Sequence, residues 1–191
     1  MRLESSFALE VALPEPSVLA VDYASARYVL LPELLPSVDA AVLFGTTTGV
    51  EASQVRCHRP DVTWLEQRFE SGQPAYDFFD HPDVRAFVGR TIGAPLGGLE
   101  VWTSCYRQGE YIDPHCDRTG LVQFLICLTT TAGPEYGGEL NLDSTPIFLQ
   151  PGAAVLFEAT RLTHFTTPLL PSAANPEPLR VVLVGRYFDP V

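Results

Sequence analysis

The stretch Glu110-Tyr111-Ile112-Asp113-Pro114-His115-Cys116-Asp117 decides how this chain folds and what it could hold. It reads as a strand, and side chains two apart on a strand project to the same face. His115 and Asp117 therefore point inward together, while Cys116 faces away. Burying an imidazole with a carboxylate is costly unless something pairs or coordinates them. A metal ion would do so, but two protein ligands are too few, and only His58, His81 and His164 remain as imidazoles. The second His-x-Asp triplet, His81-Pro82-Asp83, reads as the start of a helix, where Pro and Asp are ordinary first-turn residues. His164 lies on a late β run, Thr163-His164-Phe165-Thr166, which follows the Gln150-Pro151-Gly152 turn and an apolar strand. One His and one Asp from an early strand, with one His from a late strand, make the face that leaves positions open on non-haem iron. The other reading is a buried His–Asp hydrogen bond with an unrelated surface His164.

Outward from this stretch the texture is β. Runs separated by Gly, Pro, Asp and Asn predict strands near 99–107, 110–117, 121–130, 138–142, 146–149, 153–158, 162–167 and 179–188, about eight in all, as in a jelly roll. Before Gly98 the chain is mixed. Phe7, Leu9, Val11 and Leu13 alternate as in a strand. Residues 22–50 are ambiguous, because Pro32 and Pro36 interrupt an apolar run. Helices are predicted over 61–69, from the four-residue spacing of Leu65 and Phe69, and over 82–89, where Val84, Phe87 and Val88 share a face. The Pro-rich 168–178 segment reads as an exposed loop. The expected fold is mainly β (α+β): a single domain over 1–191, with a mixed support region over 1–98 and a double-stranded β-helix, cupin-like core over 99–191.

The last strand, Leu179-Arg180-Val181-Val182-Leu183-Val184-Gly185-Arg186-Tyr187, decides between the two readings of the site. Arg180, Val182, Val184 and Arg186 share one face by alternation. A buried Arg needs an anion, and its planar fork suits a carboxylate held bidentately. Aimed into the cavity of an open iron site, Arg180 suggests a dicarboxylate that chelates the metal at its other end, namely 2-oxoglutarate. Taken alone, Arg180 would read as a structural salt bridge. Arg186 is expected to contact a substrate carboxylate, its alternative being an exit to solvent with a surface acid. Tyr111 shares the face of His115 and lines the pocket or packs in the core. Trp102 and Phe124 are candidates to shape the same pocket.

Composition narrows the field. All twelve basic residues of the 191 are Arg, which excludes Schiff-base, pyridoxal-binding and phosphate-loop lysines. A hydrophobic content of 46% with 18% charged residues is that of a globular chain. The net charge of −11 argues against nucleic acid and anionic membranes as partners. No apolar run is long enough to span a bilayer, and residues 1–10 lack the layout of a secretion signal. Cys57, Cys105, Cys116 and Cys127 form no C-x-x-C pair and suggest no disulfide framework, so a reduced, cytoplasmic protein is expected.

The ordered set resembles the prolyl-4-hydroxylase-like branch of the Fe(II)/2-oxoglutarate-dependent dioxygenases. It runs from Cys105-Tyr106 and Gly109 through His115 and Asp117, Tyr136-Gly137-Gly138-Glu139-Leu140, Gln150-Pro151-Gly152 and His164, to Arg180 with Tyr187-Phe188-Asp189. The resemblance implies that His115, Asp117 and His164 hold Fe(II), that Arg180 binds the distal carboxylate of 2-oxoglutarate and that Tyr106 assists there. It further implies hydroxylation with O2 as co-substrate, ascorbate as a stimulant, and no halogenation, because Asp117 keeps the carboxylate ligand. The 168–178 segment lengthens the usual gap between the distal His and the anchor. The expected substrate is a small molecule, such as an amino acid or a natural-product intermediate bearing a carboxylate. A prolyl hydroxylase of peptides or proteins is the alternative within the class, and a non-catalytic cupin-like metal-binding module the alternative outside it.

Overall fold

The apolar and alternating runs after Gly98 become strands that pair in two layers. The computed structural model describes residues 2–4, 8–47, 52–57, 59, 61–129, 135–173 and 175–191. In chain order the elements are β1 (Arg2–Glu4), β2 (Ala8–Glu10), α1 (Pro16–Ala26), β3 (Tyr28–Leu31), α2 (Ser37–Thr47), β4 (Ser53–Arg56), β5 (Thr63–Phe69), α3 (Pro74–Asp80) and α4 (Pro82–Ile92). They continue with β6 (Leu99–Tyr106), β7 (Ile112–His115), β8 (Val122–Cys127), β9 (Leu140–Leu142), β10 (Thr145–Ile147), β11 (Ala154–Phe157), β12 (His164–Thr166) and β13 (Arg180–Tyr187). One sheet runs β3-β11-β8-β13-β6-β5-β4 and a second runs β10-β9-β12-β7, while β1 and β2 pair with each other. The pairings are antiparallel throughout. This is the jelly roll expected from the sequence.

Alternation along β13 divides the interior. Val181, Leu183 and Tyr187 pack with Phe78, Phe79 and Phe87 of α3 and α4, whereas Val182 and Val184 pack between the sheets with Trp102, Leu125 and Phe157. Gly185 falls on the helix side because a Cβ there would lie 2.6 Å from the Phe79 ring. The Tyr187 hydroxyl donates to the Phe79 carbonyl at 2.8 Å and ties α3 to the sheet. Phe124, a candidate pocket residue, belongs to the helix side, with its ring 5.7 Å from that of Phe79. On β8 it is Gln123, Leu125 and Cys127 that face the other way, as the one-residue phase dictates.

The first half of the chain is woven into the same sheet, since β3 pairs with β11 and β5 with β6. The helix expected over 61–69 is therefore the strand β5. The four-residue spacing of Leu65 and Phe69 satisfies a period of two as well as one of 3.6, and pairing with β4 and β6 selects the strand. The helix expected over 82–89 forms as α4, capped by Gly93 in the left-handed region at φ 70°. Of the early alternating run, Ala8–Glu10 is a strand, and Phe7 lies outside the described residues. The 168–178 loop is anchored rather than wholly exposed: Leu169 is fully buried and bridges Gln108 and Gly137. All four cysteines are free. Among the described residues no helix is long and apolar enough to cross a membrane.

Candidate metal and co-substrate site

Pairing of β7 with β12 within the second sheet brings His115 beside His164. They are paired across β7 and β12, with ring centroids 4.2 Å apart. Asp117 Oδ1 lies 3.8 Å from His115 Nε2 and 3.9 Å from His164 Nε2. One ligand atom from each residue falls within 4.8 Å of the others, and no other such group is found among the described residues. Nδ1 of His115 is 2.7 Å from the Asp113 carbonyl and Nδ1 of His164 is 3.1 Å from the Leu162 carbonyl. A carbonyl only accepts, so Nδ1 carries the proton in both rings and each Nε2 presents a lone pair to its neighbours. Burial and the adjacent His115 imidazole hold His164 below the ordinary imidazole range, which keeps it neutral and fit to ligate. His81 lies apart as the cap of α4, its Nδ1 accepting from the Asp83 amide at 3.3 Å; His58 lies outside the described residues.

A cavity of about 150 Å³ opens between the sheets, lined by the triad and by Arg180, Val182, Val184 and Arg186. The alternation expected for β13 is thus the one observed. Arg180 is 5% exposed, with its guanidinium 5.4 Å from the centroid of the Tyr106 ring. It forms no ion pair with any described residue, so its charge is open to the cavity. Tyr106 stands opposite Arg180 across β13 and β6. Its hydroxyl is hydrogen-bonded with Thr166 and Ser104, and burial raises its pKa against the pull of Arg180, which keeps it protonated. The donor set fits the group it resembles: two imidazole nitrogens and a carboxylate suit Fe(II), and an unpaired buried guanidinium suits a carboxylate at the other end of the cavity.

Two of the residues expected at the substrate have other neighbours in the structure. Tyr111 does not line the cavity but packs beside Cys57, Trp64 and Tyr106, with Arg59 over its ring at 5.9 Å. The cause is a register shift: His164 pairs with His115 but Thr166 with Ile112, so β7 carries one residue too many. Such a bulge breaks the alternation, and Ile112 lines the cavity instead. Arg186 does reach the cavity, but Nη2 donates to Asp117 Oδ2 at 2.8 Å and Nη1 lies 3.6 Å from Glu100. The free cation that a substrate carboxylate would need there is already engaged. Trp102 lines the cavity as expected, its ring 4.9 Å from the Arg186 guanidinium and 5.9 Å from that of Arg68.

Gln123 also belongs to the site, its amide donating to Asp117 Oδ2. Strand phase does not single it out, although one amide in the run Val122-Gln123-Phe124-Leu125-Ile126-Cys127 is a readable signal. Thr166, Ser104 and Glu66, also in the cavity wall, carried no comparable signal.

No protein-family model matches the chain, and no curated protein matches its sequence. Solved structures match over most of its length. A prolyl-4-hydroxylase from Pseudomonas putida superposes with a TM-score of 0.74 at 19% identity, covering 92% of this chain and 100% of the other. The chain has the fold of the prolyl-4-hydroxylase-like 2-oxoglutarate oxygenases. HygX from Streptomyces hygroscopicus, solved with nickel and 2-oxoglutarate bound, gives 0.71 at 14% identity over 93% of this chain and 88% of its own. The α-ketoglutarate-dependent epimerase SnoN from nogalamycin biosynthesis gives 0.71 at 15% over 92% and 84%.

Proposed function

We propose that the chain is an Fe(II)/2-oxoglutarate-dependent dioxygenase that hydroxylates an unactivated C–H bond of a small molecule. One observation carries this reading: a His–Asp–His cluster shares its cavity with a buried Arg that no described acid neutralises. His115, Asp117 and His164 would hold the iron. Arg180 would hold the far carboxylate of 2-oxoglutarate bidentately, with the Tyr106 hydroxyl beside it. When bound, the iron supplies the redox chemistry, in which substrate, 2-oxoglutarate and O2 give hydroxylated substrate, succinate and CO2.

The chain's own residues do the rest. The Nδ1 protons of the two histidines are committed to backbone carbonyls, so the rings cannot swing away. Val182, Val184 and Leu125 make part of the cavity wall apolar, which strengthens charge pairing inside. Trp102 forms the wall a substrate meets. Likeness to an epimerase of nogalamycin biosynthesis supports a natural-product substrate, and likeness to a prolyl-4-hydroxylase keeps peptidyl proline as the second reading.

The test is a substrate panel with Fe(II), ascorbate and 2-oxoglutarate, read by mass spectrometry. A gain of one oxygen on a small molecule, dependent on 2-oxoglutarate, supports the proposal; the same gain on a prolyl peptide alone supports the second reading. Iron bound with no 2-oxoglutarate consumed by any member of the panel would leave a metal-binding module.

A further inference from the structure

Asp117 has two carboxylate oxygens, and the structure treats them differently. Oδ1 faces Nε2 of both histidines, whereas Oδ2 accepts from the Gln123 amide and from Arg186 Nη2. The Arg186 side chain has little freedom to be elsewhere. Its stem lies against Gly120, where a Cβ would come within 2.8 Å of Arg186 Cδ, and its guanidinium is stacked 4.9 Å from the centroid of Trp102. On the far side its charge is steadied by Glu100 at 3.6 Å. Gln123 is 6% exposed and projects from β8, which is buried along its whole length.

We infer that Arg186, with Gln123, is a positioning residue that clamps the outer oxygen of Asp117, so that this ligand meets the metal through Oδ1 alone. The inference rests on the triad being a metal site. Its chemical consequence concerns vacancy: a carboxylate that turned to use both oxygens would occupy a position that a chelating co-substrate and O2 need. A guanidinium and an amide donating to one oxygen withdraw it from that competition. They also hold the carboxylate where the histidines can use it before any metal arrives, which is what partners behind a ligand contribute to affinity.

Binding of Co(II), a redox-stable probe, can be followed by quenching of tryptophan fluorescence, since both Trp64 and Trp102 line the cavity. Calorimetry provides a second reading, because Arg186 touches Trp102. Arg186→Met is expected to weaken Co(II) binding by about 10- to 100-fold, with Arg186→Lys recovering only part of the loss because a point charge lacks the fork. Gln123→Leu should weaken binding in the same direction and serves if the Arg186 variants fold poorly. Thermal midpoints of the metal-free proteins separate lost ligand positioning from general loosening. Co(II) affinity within twofold of the parent in Arg186→Met and Gln123→Leu would overturn the clamp. So would unchanged metal affinity with a raised KM for an acidic substrate, which would make Arg186 a substrate contact. Failure of the underlying site reads differently: Co(II) would then bind His115→Ala as well as the parent, or neither.

Discussion

Replacing Arg180 by Met should do two opposite things, and their separation tests the assignment of the anchor. In the structure the guanidinium is 5% exposed, has no acidic partner among the described residues, and gains only a cation–π contact with Tyr106 at 5.4 Å. That contact is worth about 0.5–2 kcal/mol. The desolvation cost of an unpaired buried charge is several kcal/mol. Without ligand, Arg180→Met should therefore leave thermal stability unchanged or raise it. With 2-oxoglutarate the balance reverses, because the ligand's far carboxylate loses its charge-assisted partner. Truncating one member of a buried, hydrogen-bonded charge pair costs roughly 2–5 kcal/mol, which at 1.4 kcal/mol per factor of ten is a roughly 30- to 4,000-fold loss of affinity. Calorimetric titration of 2-oxoglutarate in the presence of Co(II), with melting curves of the ligand-free proteins, measures both effects. Arg180 is not the anchor if Arg180→Met keeps its affinity within threefold, or if the ligand-free variant loses more than about 3 kcal/mol, the signature of breaking a structural salt bridge.

Other expectations are more local. His115→Ala should abolish Co(II) binding with the far-ultraviolet circular dichroism unchanged, whereas His81→Ala should leave binding intact and cost about 0.5–1 kcal/mol at the α4 cap. Gly185→Ala places a methyl 2.6 Å from the Phe79 ring and should lower stability in urea denaturation by about 1–3 kcal/mol. Thiol labelling in the native state should begin at exposed Cys116. Burial raises the Cys105 and Cys127 thiols, so less thiolate exists at a given pH and their labelling should rise only at higher pH or on unfolding. Equal rates at Cys116 and Cys127 near pH 8 would contradict the burial of β8.

The sequence made legible whatever depends on strand phase alone. His115 with Asp117, and Arg180 with Arg186, were paired by alternation, and both pairs line one cavity. Phase failed where the ladder is irregular: the extra residue in β7 turned Tyr111 out of the cavity. It also failed where polar residues face inward. On β5 the buried Gln67 lies between Leu65 and Phe69, and Glu66 lines the cavity beside Trp64, so the run lacks the apolar alternation of a strand. The hold of Arg186 on Asp117 spans 69 positions, and no local pattern announces such a contact. The lone amide of Gln123 in an otherwise apolar run is a legible signal of a buried polar partner.

The most direct measurement of the central claim is succinate formation from 2-oxoglutarate by the purified protein in air with Fe(II) and ascorbate. The site as described predicts succinate that requires both Fe(II) and O2, rises with a true substrate, and disappears in His115→Ala and Arg180→Met. Succinate formed equally well by His115→Ala, or none formed by the iron-loaded parent with any substrate offered, would contradict it.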